Sequence, residues 1–373
     1  MYNANSSEFI ESRISMDMKT LVSVILQEIQ NVKAIFLVGG FGRNEGSVLC
    51  YEDKYQPLND YDLVVIGDKW QDGLQQDLLR KKLAELCKIR QVDIVLIQPQ
   101  KLTKLSHTMY NYDLKYASKV IYGSQDLLCE IPSWQSRDMP LKEAIAPLFL
   151  FLSSILQAYP SDKKHNKEDI FWSYQQLTKS ILGWSSAMLI FEGLYDPSYI
   201  KRKNDFQETF SHEGDLCELV KIATKFRMNP VLNICNKKEL SDFWLVAREA
   251  HLRVLKKLVC RYYKADNLTW DKIVVRHQSS FINIIKTIYS ILFNQHHYRD
   301  CLNTDIAKLY LCLGLNHGGK EFIDKSKKYY QKLVMNREEL SLIDRDEDYL
   351  NLLLKSDINA QIFYARGNQI FYD

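Results

Sequence analysis

Asp60 and Asp62 stand one residue apart in NDYDLVV, at the head of an apolar run. In an extended strand, residues i and i+2 share a face. The two carboxylates therefore project together, roughly 7 Å apart along the strand, with Tyr61 turned the other way. A third acid, Asp93, opens the later apolar run VDIVLI. If the two runs pair side by side, three carboxylates meet at one edge, where they repel unless cations neutralise them. Hard oxygen ligands of this kind select Mg²⁺ or Mn²⁺. Two such ions can activate a hydroxyl and hold a triphosphate. Gly39 and Gly40 close an earlier apolar run, LVGG, and precede FGRNEG, which reads as the first turn of a helix. Glycine lets backbone approach an anion, and free N–H groups at such a turn can face it. Together these residues form a phosphate-binding turn beside a carboxylate cluster.

The elements that must position these residues follow from hydrophobic periodicity. Leu21, Val24, Ile25 and Ile29 recur at helical spacing over residues 17–31. AIFLVGG, YDLVVIG, VDIVLIQ and KVIYG (119–123) read as strands, and Leu74–Ile89 as an amphipathic helix. This alternation defines a small α/β unit over about the first 130 residues. EIPSWQSRDMP (130–140) reads as a linker, because it carries both Pro and Ser. Beyond it the strand signal fades. Helical periodicity covers 141–159, 167–192, 238–264 and 269–295, with shorter segments from 303 to 356; the last stretch, AQIFYARGNQIFYD, fits a terminal hairpin. The expected fold class is α+β: a small mixed sheet with flanking helices over 1–133, then a mostly α-helical domain over 140–373 that closes the cleft or binds an acceptor.

The order LVGG, FGRNEG, NDYDLVV, VDIVLI resembles the nucleotidyltransferase fold of the DNA polymerase β superfamily. In that family an apolar strand leads into Gly-Gly or Gly-Ser, and a helix often reads aromatic-x-Arg-Gly-Glu. An Asp-x-Asp follows at a strand start, and a third Asp sits on a later strand. The resemblance covers about residues 20–125. It implies that Gly39 and Gly40 hold the β- and γ-phosphates of an NTP. It further implies that Asp60 and Asp62 bind Mg²⁺ or Mn²⁺, and that Asp93 binds one metal and helps deprotonate an acceptor hydroxyl. Arg43 and Ser47 become candidates for supporting the turn or the phosphates; Arg43 reads equally well as an ion pair with Glu45 or a nearby acid. Three departures stand out. LCYEDKYQP reads as a loop inserted between the glycines and Asp60, Asn44 replaces a common glycine, and Gly40 stands where many members carry Ser.

Members of this superfamily often carry a helical domain over the nucleotide cleft, and Tyr174–Phe206 is similar to such a segment. Lys179 and Lys201 are candidate triphosphate cations there, while Arg202 and Lys203 read as a solvated helix face. His107, His251, His277, His296, His297 and His317 read as structural, and Trp172, Trp184 and Trp244 as core. The Arg-x₄₋₆-His spacing of fused RNase partners does not occur.

The resemblance implies transfer of a nucleoside monophosphate from an NTP to an unknown hydroxyl acceptor: a small molecule, a protein or an RNA end. Two alternatives stay open. One is a non-catalytic nucleotide-binding protein of the same fold. The other is a toxin–antitoxin or phage-defence enzyme acting on tRNA or a partner protein. The net charge of +3 across 373 residues argues against long nucleic acid as partner, leaving short RNA open. The eight cysteines form no C-x-x-C pair and read as free thiols of a reducing, cytoplasmic compartment. The N-terminal stretch has no basic and apolar leader pattern. The longest apolar run, Ile145–Leu156, is too short for a bilayer and contains Pro147, so no membrane association is expected.

Overall fold

A computed structural model describes residues 2–3, 8–51, 54–58, 60–70, 76–160, 166–279, 297–315, 319–331, 349–350 and 352–354. The chain runs α1 (Glu8–Glu28), β1 (Ile29–Gln30), β2 (Ala34–Val38), α2 (Gly39–Gly42), β3 (Val48–Tyr51), β4 (Lys54–Pro57), β5 (Tyr61–Ile66), β6 (Lys69–Trp70), α3 (Gln76–Leu86), β7 (Val92–Ile97), α4 (Met109–Ala117) and β8 (Lys119–Gly123). Helices then follow: α5 (Lys142–Leu150), α6 (Leu152–Gln157), α7 (Lys167–Phe191), α8 (Tyr199–Thr209), α9 (Gly214–Met228), α10 (Lys237–Tyr262), α11 (Trp270–Gln278), α12 (His297–Gly314) and α13 (Lys320–Tyr330). The fold class is α+β, with a small mixed sheet followed by a mostly helical region. No helix among the described residues is long and apolar enough to cross a membrane. His296, His317 and the segment 360–373 lie outside the described residues, as does the end of the 269–295 helix.

The central sheet has the order β7-β5-β2-β8, with β5 parallel to β7 and antiparallel to β2. Both faces are covered, so its middle strands are apolar throughout rather than alternating. Ile35, Leu37, Leu63 and Val65 face one core with Ile14, Leu21 and Ile25 of α1 and Leu79 and Leu83 of α3. Phe36, Val38, Val64 and Ile66 face a second core with Leu102, Leu114 and Ile131.

Three local expectations change. Helix α1 starts at Glu8, well before residue 17, because Ile10 and Ile14 continue its buried stripe. The insertion between the glycines and Asp60 is a β-hairpin, not a loop: Val48 pairs with Pro57 and Tyr51 with Lys54. The stretch 130–140 is packed rather than a free linker, since Ile131 and Met139 are buried and Trp134 stacks on His107.

The chain divides into two compact units. The first comprises Met1–Glu143, Glu192–Ile234 and Gln369–Asp373; the second comprises Ala144–Phe191 and Cys235–Asn368. A single cut between 133 and 140 does not describe this arrangement, because α8 and α9 return to the sheet unit. Their helical periodicity says nothing about which core they join.

The second unit is built on α7 and α10, with Trp184 and Trp244 fully buried and Trp172 nearly so. Within it, the buried His251 is paired at both ring nitrogens. His251 Nε2 donates to the Leu148 carbonyl at 2.9 Å, which leaves Nδ1 to accept from Ser180 Oγ at 2.8 Å. Burial holds the imidazole down to about 4, opposed only in part by the Leu148 carbonyl. A depressed folded-state value contributes stability that is present above the unfolded value, near 6.5, and lost as the pH falls toward 4. The shift corresponds to about 3 kcal/mol. Urea midpoints measured at pH 7.5 and 4.5 are expected to fall for the wild type and to fall less for His251→Gln; equal slopes would remove the assignment.

Candidate functional site

The strand register assembles the acids. Val38 of β2 faces Asp62 of β5, and Asp62 faces Asp93 of β7 across the parallel ladder. Asp60 lies one residue before β5. Carboxylate oxygens of Asp60, Asp62 and Asp93 all fall within 4.8 Å of one another, and the three residues are half-buried. Tyr61 points the other way, as alternation requires. It is fully buried, donates to Asp17 Oδ2 at 2.8 Å and stands edge-on to Phe41 at 5.0 Å. Gln91 holds Asp93 from behind, with its amide nitrogen 2.7 and 2.6 Å from the two carboxylate oxygens.

Asp62 is pushed well above the ordinary carboxylate range. Burial is the largest cause, followed by the charges of Asp60 and Asp93; Arg227 and Arg43 pull it back only in part. Such a cluster favours a divalent cation, whose charge offsets the mutual repulsion. Tyr110 of α4 is partly exposed, yet its hydroxyl lies in the same field: desolvation of that end, Asp62 and Asp93 all raise it.

The glycine turn abuts the acids. Because Val38 faces Asp62, Gly39 begins just beyond the ladder, with φ +65°. A Cβ on Gly39 would overlap the Asp62 carboxylate. Both the backbone and the neighbour therefore demand glycine. Gly40 is tight but less constrained: a Cβ would lie 3.2 Å from the Glu45 carbonyl and 3.3 Å from Arg227 Nη2. The expected helix is a single turn. Asn44 ends it at φ +66°, a conformation that asparagine tolerates and glycine adopts freely. Gly39→Ala is expected to cost about 1–3 kcal/mol from the backbone alone and to displace Asp62. Its urea midpoint and Mn²⁺ affinity should both drop, and more than in Gly40→Ala; a Gly39→Ala protein of wild-type stability would contradict this geometry.

Behind the turn sits a buried network within the same unit. Arg43 pairs with Asp113 Oδ2 at 3.1 Å and lies 3.4 Å from Glu45 Oε2. Glu45, itself buried, caps the first turn of α8. It accepts from Ser198 Oγ at 2.7 Å, Tyr199 N at 2.8 Å and Ile200 N at 3.3 Å. Ser47 Oγ donates to the Arg227 carbonyl at the end of α9. The guanidiniums of Arg43, Arg202 and Arg227 surround the Tyr199 ring at 4.5, 4.6 and 5.2 Å. Burial raises the Tyr199 phenol, but Arg227, Arg43 and Arg202 together outweigh it and bring it down to about 8.

The structure thus brings together Asp60, Asp62, Asp93, Gly39, Gly40, Arg43 and Ser47. Arg43 and Ser47 bind acids and backbone around the turn. Lys201 stands apart as an exposed side chain bonded to Asp205 at 2.7 Å. Lys179 is exposed on α7 of the second unit. Arg202 is buried rather than on a solvated face, because the rings of Tyr195 and Tyr199 cover it. From the sequence, Glu45 is expected only as a partner for Arg43, a contact the structure contains, and Gln91, Tyr110, Tyr199 and Arg227 do not stand out. Only Glu45 had a sequence signal, as the acid of FGRNEG.

No family model matches the chain, and neither the curated proteins nor the solved structures include a significant match.

Proposed function

We propose that the protein is a Mg²⁺- or Mn²⁺-dependent nucleotidyltransferase that moves a nucleoside monophosphate from an NTP to an acceptor hydroxyl and releases pyrophosphate. The observation that carries this reading is the convergence of Asp60, Asp62 and Asp93 within 4.8 Å, against a glycine turn whose backbone must stay bare. The three acids would hold the metal, which supplies charge neutralisation and Lewis acidity at the phosphates. Gly39 and Gly40 leave room for the polyphosphate beside Asp62. The acceptor oxygen forms a bond to the α-phosphorus, and the bond from that phosphorus to the bridging oxygen breaks. The electron pair leaves with pyrophosphate, and the hydroxyl proton departs toward Asp93, which Gln91 keeps oriented. The partners in this reading are an NTP and a hydroxyl acceptor in a cytoplasmic setting.

The test is incubation of the purified protein with each radiolabelled NTP, cell extract, and Mg²⁺ or Mn²⁺. Label transferred from one NTP to an acceptor, with matching pyrophosphate release, is the expected outcome. Absence of transfer and of pyrophosphate with every NTP would overturn the reading.

A further inference from the structure

Buried cations in proteins are paired, because an isolated charge away from water is costly. Arg227 does not follow this rule. Its residue is only 6% exposed, and its Nε has no hydrogen-bond partner among the described residues. Its neighbours are otherwise committed. Arg43 is held by Asp113 and Glu45, and Arg202 lies against Tyr195 and Tyr199. Three guanidiniums gather around Tyr199; Glu45 and Asp113 are taken up by Arg43 and Arg202, and the carboxyl group in the field of Arg227 is Asp62 at the turn.

The position of Arg227 gives its charge a direction. Nη2 stands 3.3 Å from where a Gly40 Cβ would be, so the guanidinium covers the glycine turn. It also lies in the field of Asp62. The Tyr199 ring supports its face at 5.2 Å, and Ser47 fixes its backbone carbonyl. The fall of the buried Tyr199 phenol to about 8, against its own burial, reports a positive potential at this spot. A planar, oriented guanidinium with unused donors suits the oxygens of a phosphate.

We propose that Arg227 is an anion ligand at the Gly39–Gly40 turn that takes a phosphate of the nucleotide's polyphosphate tail. The α8–α9 return is then part of the binding site as well as its support. The inference rests on the nucleotidyltransferase reading for the identity of the anion, while the cationic pocket itself stands on the geometry of Arg227.

The experiment is calorimetric titration of inorganic pyrophosphate into the full-length protein, metal-free in EDTA at low salt. Wild type is expected to bind. Arg227→Gln is expected to bind roughly 10- to 100-fold more weakly, the loss typical of a charge-assisted pair. Lys221→Gln, on the exposed face of the same helix, controls for general charge and should match wild type. If Arg227→Gln does not fold by circular dichroism, Arg227→Lys decides. It keeps the charge and loses the fork, and its affinity should fall below that of wild type. No metal-free binding by wild type, or equal affinities for wild type and the folded Arg227 variant, would overturn the proposal. The metal reading fails separately: Mn²⁺ bound equally by wild type and Asp62→Asn would sink it, yet leave the pyrophosphate comparison intact.

Discussion

Asp62→Asn should leave the protein folded, at least as stable as wild type, and without turnover. The three carboxylates crowd one another, and burial together with the charges of Asp60 and Asp93 holds Asp62 well above the ordinary carboxylate range. An amide of the same shape removes one of these like charges. Apo stability should therefore stay level or rise. Metal binding moves in the opposite direction. Loss of an outer-shell partner alone costs about 10- to 100-fold in metal affinity, so loss of a charged ligand should weaken Mn²⁺ binding by at least about 100-fold. If the ion supplies several kcal/mol of transition-state stabilisation, NTP turnover falls by about 1,000-fold or more. Thermal unfolding without metal, Mn²⁺ binding by electron paramagnetic resonance, and pyrophosphate release measure the three quantities. A destabilised variant with unchanged Mn²⁺ affinity would show that Asp62 is structural. The opposite signs for stability and activity separate a metal site from an ordinary buried acid.

This acid site was legible because its parts are local. Alternation along β5 sets Asp60 and Asp62 to one side and Tyr61 to the other, and four apolar runs mark the strands at the right places. A parallel β5–β7 pair then suffices to bring in Asp93. The departures from the family pattern also acquire reasons. Asn44 can replace a glycine because the position requires a left-handed backbone. The insertion forms a hairpin, its strands pairing from Val48 with Pro57 to Tyr51 with Lys54, and it buries Leu49. The cationic half of the site was not legible. Ser47 and Arg227 are bonded but 180 positions apart, and α8 and α9 have the same helical texture as their neighbours. Arg227 near a helix C-terminus reads as an ordinary complement to the helix dipole. Lys201, more prominent in the sequence, is only an i,i+4 partner of Asp205. Which cation reaches the turn depends on tertiary packing, and no spacing rule encodes it.

The same packing makes Glu45 the second position of large effect. Glu45→Ala should destabilise the first unit by about 3–5 kcal/mol, the usual cost of deleting one partner of a buried charge pair. The change leaves Arg43 with Asp113 as its remaining carboxylate and strips three donors at the start of α8 of their acceptor. Glu45→Gln retains an acceptor oxygen and the volume, so it should lose less, about 1–2 kcal/mol. Amide exchange resolves where the loss falls. Tyr199 and Ile200, whose N–H groups point at Glu45, should exchange faster in Glu45→Ala, while the β2–β5 ladder keeps its protection until global unfolding. Pyrophosphate affinity should fall along with α8, because Tyr199 supports the Arg227 guanidinium. A Glu45→Ala protein within 0.5 kcal/mol of wild type, a range ordinary for surface changes, would mean that α8 holds its place without this carboxylate. The loss of the cap and the loss of the anion should move together, since one buried acid fixes the helix that supports the arginine.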